Sequence, residues 1–178
     1  RDLMTSALSR AMSAIYIFIL IGMVISSFMH SGTIATLMYY GLSLLSPSLF
    51  LAVGLLLCAL MSVATGTSWG TVGTLGVVFI GIGSAMNIPL PLVAGMIVCG
   101  ATFGDKMSPI SDTTNLAAMS AGTDLYRHIY SMLFTTVPAF ILTFLIFLFI
   151  GLGYADQNLA LDAVTPIQSA LASNYSLM

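Results

Sequence analysis

The sequence predicts an all-α membrane protein in which some transmembrane helices are broken or form re-entrant hairpins. Of its residues, 58% are hydrophobic and only 6% are charged, which leaves too little polar surface for a soluble domain of this length. Residues 11–104 contain no Asp, Glu, Lys or Arg, and short segments rich in glycine and hydroxyl groups interrupt the apolar runs. We therefore expect a multi-pass protein of the cell membrane.

A helical crossing of the bilayer needs about 20 mostly apolar residues. Three runs satisfy this length, and Pro138 predicts a kink in the last of them. They lie near Met12 to Met29, Ser48 to Ala64, and Tyr126 to Tyr154. Three further apolar runs are shorter, and the last two are separated by a predicted turn at residues 87–91. They cover residues 33–46, 72–86 and 92–104.

Two polar segments, residues 65–71 and 105–115, interrupt the apolar pattern. Non-helical backbone at membrane depth is tolerated only where it is buried in protein or lines a watery cavity, and such places are often binding sites. The alternative is that each segment is an extramembrane loop between ordinary spans. We expect the function to reside in these two segments.

The segment 105–115 concentrates oxygen atoms of the kind that hard cations prefer. A carboxylate can hold either a proton or a sodium ion when burial favours its protonated form and a nearby cation favours its ionised form. Asp112 is the preferred carboxylate, because Ser111, Thr113 and Asn115 surround it in sequence. Asp105 is the second candidate, and either one is a candidate sodium ligand.

Three other side chains have candidate roles. The Thr67 and Ser68 hydroxyls, in the first polar segment, could complete an ion shell from a second break. Lys106 is a charge partner that either contacts a carboxylate substrate or pairs with an Asp only to neutralise it. Asp105 and Lys106 are adjacent and would point in different directions on a helix.

Other functional classes have weaker support. The net charge of −2 and the absence of a basic run argue against a nucleic-acid partner. Residues 66–70 fit a G-x-S-x-G pattern, so an intramembrane serine hydrolase with Ser68 as its nucleophile is an alternative function. That motif requires a strand-turn-helix context and a histidine partner, and the chain has only His30 and His128.

The polar segments also resemble a known family. The sequences GATFGDKMSPISDTTNLA at 100–117 and AGTDL at 121–125 look like the signature of the NhaC-type sodium/proton antiporters, and the resemblance extends to residues 65–71 and 135–138. It implies a secondary transporter of the ion-transporter superfamily, with repeated halves and re-entrant hairpins. It also implies sodium and protons as substrates and, in some members, organic acids such as malate and lactate.

From the residues and the resemblance together we expect a secondary active transporter that exchanges sodium ions for protons. The alternatives are a sodium- or proton-coupled organic-acid antiporter, the serine hydrolase, and a non-transporting assembly subunit. Residues 1–154 would form about one half of an inverted-repeat transporter, and 155–178 a loop or linker toward a missing second half. The expected partners are the bilayer, the rest of the same protein and possible further copies, with no cofactor besides the transported Na⁺ and H⁺.

Overall fold

A computed structural model describes residues 46–154 without a gap, together with isolated residues between Met12 and Gly32. Within this part of the chain every regular element is helical. The helices are α1 Pro47–Thr65, α2 Ser68–Ala85, α3 Leu90–Met107, α4 Asp112–Ser120 and α5 Leu125–Leu152. Most of the predicted first span, the run 33–45 and the predicted linker 155–178 lie outside the described residues.

Four of the helices, α1, α2, α3 and α5, are long and apolar enough to cross a membrane. The prediction of an all-α membrane protein is therefore confirmed. Helices α1 and α5 match the predicted spans, and α5 continues through Pro138. Helices α2 and α3 are longer than the predicted apolar runs, because the polar residues 68–71 and 105–107 are also helical.

Helix α2 is not uniform along its length. It begins as an α-helix at Ser68–Thr71, becomes π-helical at Val72–Gly76 and returns to an α-helix at Val77–Ala85. The Thr67 side chain caps its start by accepting a hydrogen bond from the Gly70 amide at 3.2 Å. Single π-helical turns inside α-helices occur frequently at functional sites, and this one follows the first polar segment directly.

Close packing of α3 against α1 places the end of α3 in the protein interior. A Cβ atom on Gly100 would lie 2.8 Å from the Cys58 Cβ, and one on Gly104 would lie 2.6 Å from the Ser62 Cβ. Only glycine leaves room for two helix backbones at this separation, so the Gly100/Gly104 spacing acts in packing. The remaining core is apolar and includes Phe50, Leu51, Leu55, Phe79, Ile82, Val93 and Met96.

The two predicted breaks lie against each other. Helix α1 ends at Thr65, and Gly66 caps it with a left-handed φ of 68°. A Cβ on Gly66 would be 3.0 Å from the Ser111 amide nitrogen of the second break. Ser108, in the same break, donates its hydroxyl hydrogen to the Val63 carbonyl oxygen at 2.8 Å. Gly66, Ser108 and Ser111 are all buried. The two breaks therefore pack against each other through these buried residues, while Ile110 of the second break is 69% exposed.

Candidate functional site

Asp105 is a buried carboxylate at the end of α3, only 6% exposed. Three hydroxyl groups donate to it: Ser111 to Oδ1 at 2.8 Å, and Ser68 and Thr113 to Oδ2 at 3.3 and 3.4 Å. The Ser111 and Thr113 hydroxyls are also 2.9 Å apart. We call Asp105, Ser68, Ser111 and Thr113 the Asp105 cluster; it unites the two polar segments around one negative charge.

Two helices begin beside this carboxylate. Ser68 is the first residue of α2, while Ser111 is the N-cap residue of α4 and Thr113 lies in its first turn. The amide groups at a helix start lack intrahelical acceptors and give that end a partial positive charge. The chain therefore places two partly positive helix ends near Asp105, an arrangement that favours a negatively charged group there.

Buried hydroxyl groups also join the backbones around the site. Besides the bond from Ser108 to α1, Ser62 donates to the Ala101 carbonyl at 2.6 Å, and Thr114 donates to the Asp105 and Lys106 carbonyls at 3.2 and 3.3 Å. No buried side-chain nitrogen or oxygen in the described part of the chain lacks a hydrogen-bond partner. The Ser108 and Thr114 bonds go to carbonyl groups in the last turns of α1 and α3, where intrahelical partners are lacking. The Ser62 bond instead joins α1 to the body of α3.

The candidate roles of Ser62, Ser108 and Thr114 were not part of the sequence prediction. Ser62 is one hydroxyl in an otherwise apolar run, so nothing in its sequence neighbourhood indicates its partner. Ser108 and Thr114 lie within the polar segment 105–115, where their residue type was visible but their orientation was not. All three bind backbone carbonyl groups of other elements, a role that only the helix positions reveal.

The structure leaves Asp112 outside the Asp105 cluster. Asp112 is exposed at the start of α4, and within the described residues its carboxylate accepts only the amide of Thr113, at 2.8 Å. Asn115 donates its side-chain amide to the Pro109 and Ser111 carbonyls, at 2.9 and 2.7 Å, and so fixes the shape of the break. Of the predicted side chains, Asp105, Ser68, Ser111 and Thr113 come together, while Asp112, Asn115, Thr67 and Lys106 do not.

Lys106 lies on the other face of α3 from the cluster. It lines a groove of about 330 Å³ between α3 and α5, whose other lining residues are mostly apolar. They are Val98, Cys99, Thr102, Phe103, Thr136, Ala139, Phe140 and Thr143. Among the described residues Lys106 forms no ion pair, so the neutralising Asp–Lys pair considered above is not formed there.

The surroundings of Ser68 differ from those of a nucleophilic serine. Ser68 follows helix α1, whereas the G-x-S-x-G motif requires a preceding strand, and its hydroxyl donates to the Asp105 carboxylate. The described residues contain no group of three or more His, Cys, Asp or Glu side chains able to hold a metal ion. The Asp105 cluster itself consists of one carboxylate and three hydroxyl groups.

Comparison with known proteins agrees with this arrangement. The Na⁺/H⁺ antiporter family matches residues 100–177. The chain is 45% identical to the Na⁺/H⁺ antiporter NhaC of Alkalihalophilus pseudofirmus and 44% identical to the malate-2H⁺/Na⁺-lactate antiporter of Bacillus subtilis, over 98% and 96% of its length. It is 36% identical, over 99% of its length, to the arginine/ornithine antiporter ArcD of Halobacterium salinarum. No solved structure shows a significant match.

The alignments cover 36–37% of the length of these three relatives, so the chain corresponds to about a third of such a protein, less than the half that we predicted. The relatives are named as antiporters and not as enzymes. Together with the four apolar helices they identify a segment of a multi-pass membrane protein. The chain belongs to the Na⁺/H⁺ antiporter family.

Proposed function

We propose that the full-length protein exchanges sodium ions for protons across the cell membrane, and that Asp105 holds the two ions in turn. The observation that carries this proposal is the buried Asp105 carboxylate with three hydroxyl groups directed at it from two helix starts. The names of the similar antiporters support the same activity. No cofactor is part of the proposal, since Na⁺ and H⁺ are the transported substrates.

The cluster offers two ways to neutralise Asp105. A proton converts the carboxylate to a neutral carboxylic acid. A sodium ion would instead be held by the carboxylate oxygens and by the lone pairs of the Ser68, Ser111 and Thr113 hydroxyls, which must rotate their hydrogens away from Asp105. The same carboxylate cannot serve both ions at once, so binding of one displaces the other.

The balance of charge explains why exchange is favoured over leakage. With either ion bound the site is neutral, whereas the empty carboxylate carries one negative charge in a region that is expensive for charge. The conformational change that opens the site first to one side of the membrane and then to the other should therefore be easier when either ion is bound. This condition couples the inward movement of one ion to the outward movement of the other.

The test uses full-length protein in lipid vesicles, with an imposed sodium gradient and a pH-sensitive dye in the lumen. We expect Asp105→Asn to abolish sodium-driven proton movement, because the amide cannot exchange a proton at this site. Asp112→Asn is the matched control and should retain most of the activity. Normal exchange by Asp105→Asn would overturn the assignment, and loss of exchange by Asp112→Asn alone would restore the carboxylate that the sequence favoured.

A second candidate function is sodium- or proton-coupled exchange of organic acids. The observation in its favour is Lys106, which lines an otherwise mostly apolar groove and forms no ion pair in the described part of the chain. Such a group can bind a carboxylate, and one similar protein is named for malate and lactate.

The two candidate functions predict different behaviour in the same vesicles. Sodium-driven proton movement that needs no organic acid, and that Lys106→Met leaves intact, supports the first. Proton movement that occurs only with malate or lactate present supports the second, provided that this activity is lost in Lys106→Met and kept in Lys106→Arg. We do not propose a hydrolase, because Ser68 donates to a carboxylate and has no strand before it.

A further inference from the structure

Helix α4 and its N-cap residue carry two of the three hydroxyl groups of the Asp105 cluster, yet few residues of the helix are buried. Of its nine residues only Thr114 and Ala118 are buried. The two positions are one helical turn apart, so the buried residues of α4 lie along a single stripe within the described part of the chain. Thr113 and Asn115 add side-chain hydrogen bonds to Asp105 and Pro109 near the start of the helix. Leu116 and Met119, on the remaining surface, are 65% and 77% exposed.

Thr114 is the polar part of that stripe. Its hydroxyl group is within hydrogen-bond distance of the Asp105 and Lys106 carbonyl oxygens, and the side chain is 1% exposed. Both carbonyls belong to the last turn of α3, where carbonyl groups lack the usual amide partner four residues later; the Asp105 carbonyl also accepts the Ser108 amide at 3.4 Å. Thr114 therefore ties α4 to the backbone of the same residue whose carboxylate receives the Ser111 and Thr113 hydroxyls.

We propose that Thr114 is a positioning residue for ion binding: it holds the first turn of α4 in the register that places Ser111 and Thr113 against the Asp105 carboxylate. Thr114 does not touch the carboxylate itself. This inference rests on the proposed function in one respect, namely that Asp105 is the carboxylate that binds sodium. It adds that the affinity for sodium depends on how α4 is fastened to α3.

The substitution Thr114→Val removes the hydroxyl and keeps the shape of the side chain. One hydrogen bond contributes an amount equivalent to about a 2- to 10-fold change in an equilibrium constant. We expect the sodium concentration for half-maximal effect to rise by about that factor, with maximal exchange largely kept. Thr114→Ser restores the hydroxyl and should return the half-maximal concentration to near the wild-type value.

Ser62→Ala is the matched control. Ser62 also donates a buried hydroxyl hydrogen to a carbonyl of α3, at Ala101, but it comes from α1 and does not involve α4. Both substitutions should lower the thermal unfolding midpoint of the full-length protein in sodium-free detergent solution. Only Thr114→Val should also shift the sodium titration of that midpoint, because stabilisation by a ligand depends on the logarithm of one plus its concentration divided by its dissociation constant.

The same titration, with choline chloride keeping the ionic strength constant, separates the two proposals. If Asp105→Asn loses the stabilisation by sodium while Thr114→Val titrates like wild type, Thr114 is a structural residue only and the inference is wrong. If the sodium titration of Asp105→Asn is like that of wild type, Asp105 is not the carboxylate that binds sodium, and the proposed function is wrong in that assignment. An equal shift of the sodium titration in Ser62→Ala and Thr114→Val would also overturn the specific role of α4.

Discussion

The Ser111 hydroxyl donates to the Asp105 carboxylate over 2.8 Å, although one residue lies at the end of α3 and the other precedes α4. This is the shortest of the three contacts to the carboxylate. It spans the break itself, so the geometry of the site and that of the break are the same structural feature. Any change that alters the path of residues 108–111 must also alter the shell around Asp105.

The three hydroxyl groups should contribute unequally to sodium binding. Ser111 is completely buried, and its hydroxyl contacts both Asp105 and Thr113. Ser111→Ala should therefore raise the sodium concentration for half-maximal exchange most, by about 10-fold. Ser68→Ala and Thr113→Val, which remove longer contacts, should each have a smaller effect. The measurement is sodium-driven proton movement in vesicles as a function of sodium concentration.

A matched control comes from Thr135, whose hydroxyl is exposed and donates within its own helix to Met132. Thr135→Val should leave the half-maximal sodium concentration unchanged. If Ser111→Ala behaved like this control, the hydroxyl groups would be packing features and not ion ligands. The order of the three effects is therefore as informative as their size.

The positions of the breaks and the candidate side chains could be read from the sequence, but which of those candidates meet could not. Glycine and hydroxyl residues interrupting apolar runs indicate where regular helix ends, and both segments do contain a break. Ser68 reaches Asp105 from 37 residues away, which no local spacing encodes. The contact depends on how α1, α2 and α3 pack, and that packing depends on the whole core.

The preference for Asp112 shows why proximity in sequence differs from proximity in space. Successive residues of a helix project about 100° apart. The neighbours of Asp112 in sequence can therefore face α3 while Asp112 itself is exposed. The same rule separates Asp105 from Lys106, whose side chain enters the groove between α3 and α5. The sequence indicated the candidate residues, and the fold shows which of the two carboxylates is buried among hydroxyl groups.

A third carboxylate, Asp124, should affect folding without affecting the ions. It is the N-cap of α5 and accepts hydrogen bonds from the Tyr126 and Arg127 amides at 3.1 and 3.4 Å. Loss of an N-cap side chain costs about 0.5–2 kcal/mol of folding free energy. Asp124→Ala should therefore lower the thermal unfolding midpoint in detergent, while Asp124→Asn, which still caps the helix, should change it little.

Neither substitution at Asp124 should shift the sodium dependence of exchange in vesicles. The contrast with Asp105→Asn then separates carboxylates that stabilise a helix from the one proposed to bind ions. A change in sodium affinity in Asp124→Asn, with the unfolding midpoint intact, would place Asp124 in the transport pathway and contradict this prediction.

The close approach of α3 to α1 predicts a large difference between two glycines of the same helix. A methyl group on Gly104 would overlap the Ala59 carbonyl oxygen and lie 2.6 Å from the Ser62 Cβ, so α3 would have to move away from α1. Overpacking of this kind costs about 1–3 kcal/mol. Because Asp105 is the next residue, Gly104→Ala should lower the thermal unfolding midpoint and weaken sodium binding together.

Gly95→Ala supplies the comparison within α3. The nearest atom to its added methyl group would be Phe147 Cζ at 3.8 Å, an ordinary van der Waals contact. Alanine also favours a helix over glycine by about 1 kcal/mol, so this variant should unfold at an equal or higher temperature than wild type. Equal tolerance of both substitutions would mean that α3 does not press against α1 at Gly104, and that the burial of Asp105 has another cause.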